Sequence, residues 1–407
     1  MHPTRRYTSR STRLVVLALA LALVAATGCR SRSILAPEPA LQDAGGTRAA
    51  APRGYAGDVA GARHVEGVIG DGALYTLDAP AAWNGDLVVY LHGYSNPADP
   101  VARPNNGAIR DSLLARGVAV ASSSYSSNGF AVSEGVRQSL QLRGLFTSRI
   151  ARPRRTWLFG QSLGGLIGMI LSQRYPEQFN GSLLVCGIVG GAKEEIEYVG
   201  DIRVLFDALY PHVLAGDLEH TPPITDINHQ VVQPVVQAVT ANPQGLGIIQ
   251  RLARHPLPGN TTQEIVTSLV NVLGFAAQGG SDLFDRTHEH TYFDNAGWQY
   301  TGPGLPQSLI DDVNARVARY TADPSGLEFL GRNGDASLPL RVPVMAIHTT
   351  RDPVVPVFHE DLLAQANAGP NLRQYRTDRY GHCNFTVGEL MQRFDELVAW
   401  SASHAAL

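Results

Sequence analysis

The segment Trp157-Leu158-Phe159-Gly160-Gln161-Ser162-Leu163-Gly164-Gly165 sets one serine between two glycines, Gly160 and Gly164, directly after an apolar β-rich run. The helical pattern Leu166, Ile167, Ile170 and Leu171 follows at once. A chain that passes from strand to helix in so few residues must hold Ser162 in a strained backbone conformation, and glycines two residues to either side avoid colliding with that turn. The turn lifts the hydroxyl into solvent at a helix N-terminus, where the peptide dipoles favour developing negative charge. This geometry suits nucleophilic catalysis by Ser162. A serine at neutral pH needs a base, and the base needs an orienting acid. His288-Glu289-His290 could turn two imidazoles to one side of an extended segment, but no third ligand is evident and a structural or surface role fits better. Gly-rich phosphate loops, dinucleotide fingerprints and zinc spacings do not occur. Neither a cofactor nor a metal is expected.

The elements that must carry this serine alternate. His64–Ile69 and Ala73–Leu77 read as a leading hairpin. Asp86–Leu91 is a continuous apolar run, as a strand buried on both faces of a parallel sheet should be. Gly117–Ala121, Thr156–Phe159, Ser182–Gly187 and Val342–His348 repeat that type. Between them lie amphipathic helices, among them one marked by Val132, Val136 and Leu140 with Leu142, Leu145 and Phe146 widening its apolar face. Strand–helix alternation with short connections predicts a doubly wound α/β sheet, whose ligands bind outside the carboxyl ends of the strands. Residues 191–335 break the alternation. They carry helical patterns without convincing strands, including the capping box Thr261-Thr262-Gln263-Glu264 and the series Leu309, Val313, Val317 and Tyr320.

With its elbow in this setting the sequence resembles the α/β-hydrolase fold family, serine esterases and lipases among them. The match covers roughly residues 64–190 and 336–404, with 191–335 placed where that family often carries a lid. The resemblance implies a mostly parallel central sheet flanked by helices and a large helical insertion. It also implies the chain order serine, acid, histidine. Asp352, in Thr349-Thr350-Arg351-Asp352-Pro353-Val354-Val355-Pro356, occupies the loop where the family carries its acid after a strand, although an Asp-Pro turn former is the plainer alternative. Asp201, Asp335 and Asp361 are weaker candidates. His382, preceded by Gly381 and followed by a terminal helix, stands where the family places its base. His359 reads as the start of a helix, and His348 ends a strand and could line the site. The oxyanion hole would take the backbone N–H of Leu163 and that of Tyr94 in Leu91-His92-Gly93-Tyr94, with Gly93 an alternative donor and His92 bracing the loop.

Hydrophobic residues make up 44% of the 407 and charged ones 17%, so the chain is not of the disordered class. With net charge −3 and its arginines scattered, nothing recruits nucleic acid. Arg5, Arg6, Arg10 and Arg13 precede the apolar run Leu14–Ala26, which suits a signal peptide over residues 1–28 and is too short to span a bilayer. Ala26-Thr27-Gly28-Cys29 resembles a bacterial lipoprotein processing box, which would make Cys29 a lipidated N-terminus and a membrane attachment. Residues 29–60 then read as a flexible tether, 61–190 and 336–407 as the two parts of the hydrolase core, and 191–335 as the lid. Export would follow. Cys186 and Cys383 remain: two buried free thiols are the plainer expectation, and a disulfide pinning His382 the alternative.

Three functions compete. The first is a serine esterase acting through Ser162, His382 and Asp352 on a small or polymeric ester. The second is an exported peptidase of the same fold, with Glu194, Glu195, Glu197 or Glu219 holding an amino terminus, although clustered glutamates more often form a solvated face. The third is a binding protein on a hydrolase scaffold, which an intact Ser/Asp/His order disfavours. Phe206, Leu209, Tyr210, Phe275 and Trp298 could build an apolar pocket or simply pack lid helices.

Overall fold

The computed structural model describes residues 62–335 and 337–404. The signal segment, Cys29 and the tether therefore lie outside the described residues. Eight strands form one sheet in the order β1-β2-β4-β3-β5-β6-β7-β8. They are β1 (Arg63–Ile69), β2 (Ala73–Ala79), β3 (Asp86–Leu91), β4 (Ala119–Ser123), β5 (Arg155–Gln161), β6 (Gly181–Val185), β7 (Val344–Arg351) and β8 (Leu372–Tyr380). The β1–β2 and β2–β4 pairings are antiparallel, and every pairing from β4 through to β8 is parallel.

Period-2 alternation explains why the apolar runs lie in mid-sheet. In β3, Leu87, Val89 and Leu91 join one core while Val88 and Tyr90 join the other. In β5, Leu158 faces the first core and Trp157 and Phe159 the second. One face is covered by α2 (Val132–Arg149) and α3 (Leu163–Arg174), the other by α1 (Gly107–Ala115) and α11 (Val387–His404). With both faces covered, a strand must be apolar throughout.

Two elements depart from the sequence expectation. The strand expected at Gly117–Ala121 forms at Ala119–Ser123, because Gly117 is taken by a turn with φ of 75°. Strand β8 (LRQYRTDRY) gives no apolar signal. It is the sheet's edge, half-exposed and studded with arginine, which discourages pairing with other chains.

Between β6 and β7 the described residues hold helices and no strand: α4 (Ala192–Leu209), α5 (Gln233–Ala241), α6 (Pro243–Leu252), α7 (Thr262–Arg286), α8 (Gln307–Arg316) and α9 (Pro324–Gly334). After β7 comes α10 (Phe358–Ala366). The inserted helices pack a core of their own around Phe206, Leu205, Leu269, Leu273, Phe293 and Tyr300. Thr261 caps α7 by accepting the Glu264 N–H at 3.1 Å, while the Glu264 carboxylate takes the Asn260 N–H at 2.6 Å. Helix α8 stops at Arg316, so Val317 and Tyr320 reach the lid core from the chain beyond it.

Candidate active site

Strand β5 delivers its chain to Ser162, whose φ and ψ are 54° and −122°. That strained conformation is pinned from both sides. The Ser162 N–H donates to the Val185 carbonyl at 3.0 Å, and the Ser162 carbonyl accepts the Gly165 N–H at 2.8 Å. A Cβ at Gly160 would run into the Gly164 carbonyl, and one at Gly164 into the carbonyl oxygen of Leu91. Gly165 lets α3 approach Gly187 beyond β6. Leu163 is the first residue of α3, so its N–H is one of the donors a helix leaves without an internal partner.

The loop after β3 lies over this serine. A Cβ at Gly93 would stand 3.2 Å from Ser162 Cβ and 3.7 Å from its Oγ. His92 braces the loop, as its position suggests: its Nδ1–H donates to the Gly93 carbonyl at 2.8 Å and its ring stacks on Tyr125 at 3.9 Å. Burial pulls the His92 imidazole down to about 4, so it stays neutral. The chain then enters Tyr94, whose ring meets Phe275 of α7 edge-on.

Asp352 and His382 come together. The His382 Nδ1–H lies 2.8 Å from Asp352 Oδ2 and 3.0 Å from Oδ1. Oδ1 also accepts the N–H groups of Val354 at 2.9 Å and Val355 at 3.0 Å, the turn an Asp-Pro sequence encodes. Asp352 is thus both turn former and imidazole partner. It is fully buried, which alone would raise its carboxyl, but His382, His348 and the Val354 N–H together hold it below the usual range. The loop carrying His382 is tied to β7 by the Thr349 hydroxyl, which donates to the Gly381 carbonyl at 2.7 Å, and by the Gly381 N–H to the Arg351 carbonyl.

On its other side that loop is held by a disulfide. Cys383 is joined to Cys186, with Cα atoms 5.3 Å apart, so the expectation of two free thiols does not hold. No local sequence pattern indicates this pairing, because 197 residues separate the cysteines and they meet only where the loop after β8, tied back to β7 through Gly381, reaches the end of β6. Cys186, Cys383 and His382 offer atoms within 4.8 Å of one another, but the bond between the two sulfurs leaves no thiolate for a metal. His288 and Glu289 end α7 in left-handed backbone, and His290 pairs with Asp323 at 3.3 Å. Among the described residues these side chains belong to no cluster that could hold a metal ion.

The other candidate acids lie apart from His382. Asp201 accepts the Tyr300 hydroxyl at 2.9 Å and pairs with Arg254 inside the lid. Asp335 caps Ser337, and Asp361 pairs with Arg376 on the surface. The expectation of a solvated glutamate face fails for two members: Glu219 is buried under Thr291 and Tyr292, and Glu195 reaches inward. Its Oε2 lies 2.9 Å from Nε2 of His359, whose Nδ1 accepts the Gly190 N–H at 3.1 Å. That second bond fixes the tautomer, so His359 donates to Glu195. His348 lies behind the site rather than lining it, 3.6 Å from Asp352. The His348 and His359 contacts have no counterpart in local sequence.

A cavity of about 110 Å³ opens beside Ser162. Its walls are mostly apolar, with Leu163 and Ile188 from the core, Ile196 and Val199 from α4, and Phe275 and Leu283 from α7. Of the lid aromatics, Phe275 faces this cavity, Phe206 and Tyr210 pack in the lid core with Leu209 against it, and Trp298 is exposed under the Arg254 guanidinium.

No protein-family model matches the chain, and no curated protein does. Solved structures similar to it include the alpha/beta hydrolase domain-containing protein 10 from mouse, at 13% identity over 83% of this chain and 98% of that one, with a TM-score of 0.39. The esterase Pf2001 from Pyrococcus furiosus is similar at 12% identity over 83% and 90%, TM-score 0.41. A protein from Acinetobacter baumannii described as a lipase is similar at 14% over 84% and 93%, TM-score 0.39. Likeness of that degree carries no functional weight, and the fold rests on the chain's own strand order, its parallel pairings and the strand–turn–helix at Ser162. By those features the chain has the α/β-hydrolase fold with a helical insertion between β6 and β7.

Proposed function

We propose that this chain is a serine hydrolase of carboxylic esters. Ser162 Oγ attacks the acyl carbon while His382 Nε2 takes its proton. Asp352 holds the imidazole with Nδ1 protonated and stabilises the imidazolium that forms. The Leu163 and Tyr94 N–H groups receive the oxyanion. His382 then protonates the leaving alcohol, and water activated by the same base releases the acyl group. The observation that carries this reading is the coincidence of a strained Ser162 with a buried Asp352–His382 pair at the carboxyl ends of β5, β7 and β8. The apolar cavity beside Ser162 supports an uncharged acyl group. Its volume is below the ~150 Å³ that accommodates benzene in an engineered cavity, which favours short acyl chains.

The test is initial rates on a p-nitrophenyl ester series and matched aminoacyl p-nitroanilides, with Ser162→Ala beside the wild type. Ester turnover that Ser162→Ala abolishes and anilides do not share supports the reading. Faster anilide turnover refutes it in favour of a peptidase. The sequence features of residues 1–60 lead us to propose export and a lipid anchor at Cys29 as well. Metabolic labelling with a radioactive fatty acid, lost in Cys29→Ser, tests the anchor.

A further inference from the structure

Beside Asp352 lies a second buried imidazole, which the proposed reaction does not use. His348 sits near the end of β7 and is fully buried. Its Nε2 is 2.8 Å from the Val355 carbonyl oxygen, which can only accept, so Nε2 carries a proton. Its Nδ1 is 3.3 Å from Oε1 of Glu360 on α10. The other Glu360 oxygen accepts the Gln374 side-chain amide from β8. Both ring nitrogens therefore face oxygen acceptors. With a proton on each ring nitrogen, His348 satisfies both acceptors. Burial opposes that charge, but Glu360 and Asp352 outweigh it and push His348 above the usual histidine range. The same Nε2 is 3.6 Å from Asp352 Oδ2, the oxygen that lies 2.8 Å from His382 Nδ1.

We propose that His348, held as a cation by Glu360, is a positioning residue that tunes the catalytic base by sharing Asp352 with His382. This rests on the reading of Ser162, Asp352 and His382 as a triad. An aspartate already facing one cation stabilises a second one less, because the two imidazoliums repel each other in a medium of low dielectric. Asp352 then stabilises the His382 imidazolium less than an unshared aspartate would.

The other groups facing this cluster do not supply the charge. His359 is neutral, pulled down to about 3 by burial, and donates to Glu195. Glu195 on α4 is itself pushed well above the carboxylate range by burial and by Asp352. Glu194 on α4 also faces His359. The Tyr198 hydroxyl, near Glu195 and Asp352, is held un-ionised by burial. Arg376, the cross-strand neighbour of His348 on β8, pairs with Asp361 at 2.6 Å. Among the described residues, His348 and His382 are the basic side chains within ion-pair distance of Asp352.

The experiment is the pH dependence of kcat/KM on a short-chain p-nitrophenyl ester, from about pH 4.5 to 9, for wild type, Glu360→Gln and His348→Gln, with Ser162→Ala as control. Glu360→Gln keeps the ring and its bond to Val355 while removing the charge that holds the second proton. The rising acid limb should move to higher pH by about 0.5–1 unit in both variants. A merely structural role would lower kcat at every pH and leave the limb in place. A limb within about 0.2 unit of wild type in the folded variants overturns the proposal. Should both variants fail to fold, nitrogen NMR of the wild-type histidines decides. One buried ring still protonated on both nitrogens at about pH 7, above the ordinary histidine value, supports it, and only neutral buried rings at that pH refute it. Activity that survives Ser162→Ala removes the triad reading, and this inference with it.

Discussion

Replacing Asp352 with asparagine should abolish turnover while leaving the fold nearly intact, for a reason the hydrogen bonds dictate. Oδ1 of Asp352 accepts the Val354 and Val355 N–H groups at 2.9 and 3.0 Å. An asparagine must keep its carbonyl oxygen there, because its amide nitrogen has no lone pair for those donors. The NH2 group then takes the place of Oδ2 and points its hydrogens at His382 Nδ1. His382 can accept that bond only with Nδ1 unprotonated, which moves its proton to Nε2. An imidazole in that tautomer presents a donor to Ser162 and cannot take the serine proton. Forcing the wrong tautomer costs about 10⁴ in kcat, or roughly 5 kcal/mol of transition-state stabilisation. The assay is kcat on a p-nitrophenyl ester for wild type, Asp352→Asn and Ser162→Ala, with thermal melts to verify folding. A folded Asp352→Asn retaining more than about a tenth of wild-type kcat would refute this assignment of Asp352.

Gly164→Ala should be strongly destabilised, by about 3 kcal/mol or more, since its methyl group meets the Leu91 backbone; Gly144→Ala, exposed in α2 with open space around it, should gain about 0.5–1 kcal/mol. Denaturant melts of the pair check both directions, and equal shifts would contradict the packing argument. Cys186→Ala/Cys383→Ala should lose about 2–5 kcal/mol, because the disulfide closes a loop of 197 residues. It should also lower kcat by loosening the loop that carries His382, so identical melts and rates with and without reductant would count against a role for the bond. Burial pushes Asp201 up to about 6, above its unfolded value of ~3.9. The folded state therefore holds this proton more tightly than the unfolded chain does. Its contribution to stability is fully present below about pH 4 and falls by roughly 3 kcal/mol as pH rises to about 6. Asp201→Asn should flatten the stability profile across that window in urea titrations, and an unchanged slope would refute the assignment.

The sequence by itself determined the strained serine turn and the sheet around it. Local sterics demand glycine at 160 and 164 if Ser162 is to join a strand to a helix at once, so the elbow is written in adjacent residues. Runs such as Asp86–Leu91 mark the strands buried on two faces. Asp352 and His382 were legible only through family resemblance, because nothing in thirty residues of chain says that a turn-forming aspartate also faces an imidazole. Only the tertiary structure decided the rest. Cys186 meets Cys383 because the loop after β8 folds back across β7 to the end of β6, and His348 finds Glu360 because α10 packs back on β7. The Glu195–His359 bond likewise joins residues 164 apart, the first from the lid and the second from the core. The edge strand β8 was silent because none of its nine residues is fully buried and four of them carry charge. Backbone geometry acts over a few residues and leaves a local signature. Charge pairing and disulfide formation act through space, between positions whose separation along the chain carries no information about their distance.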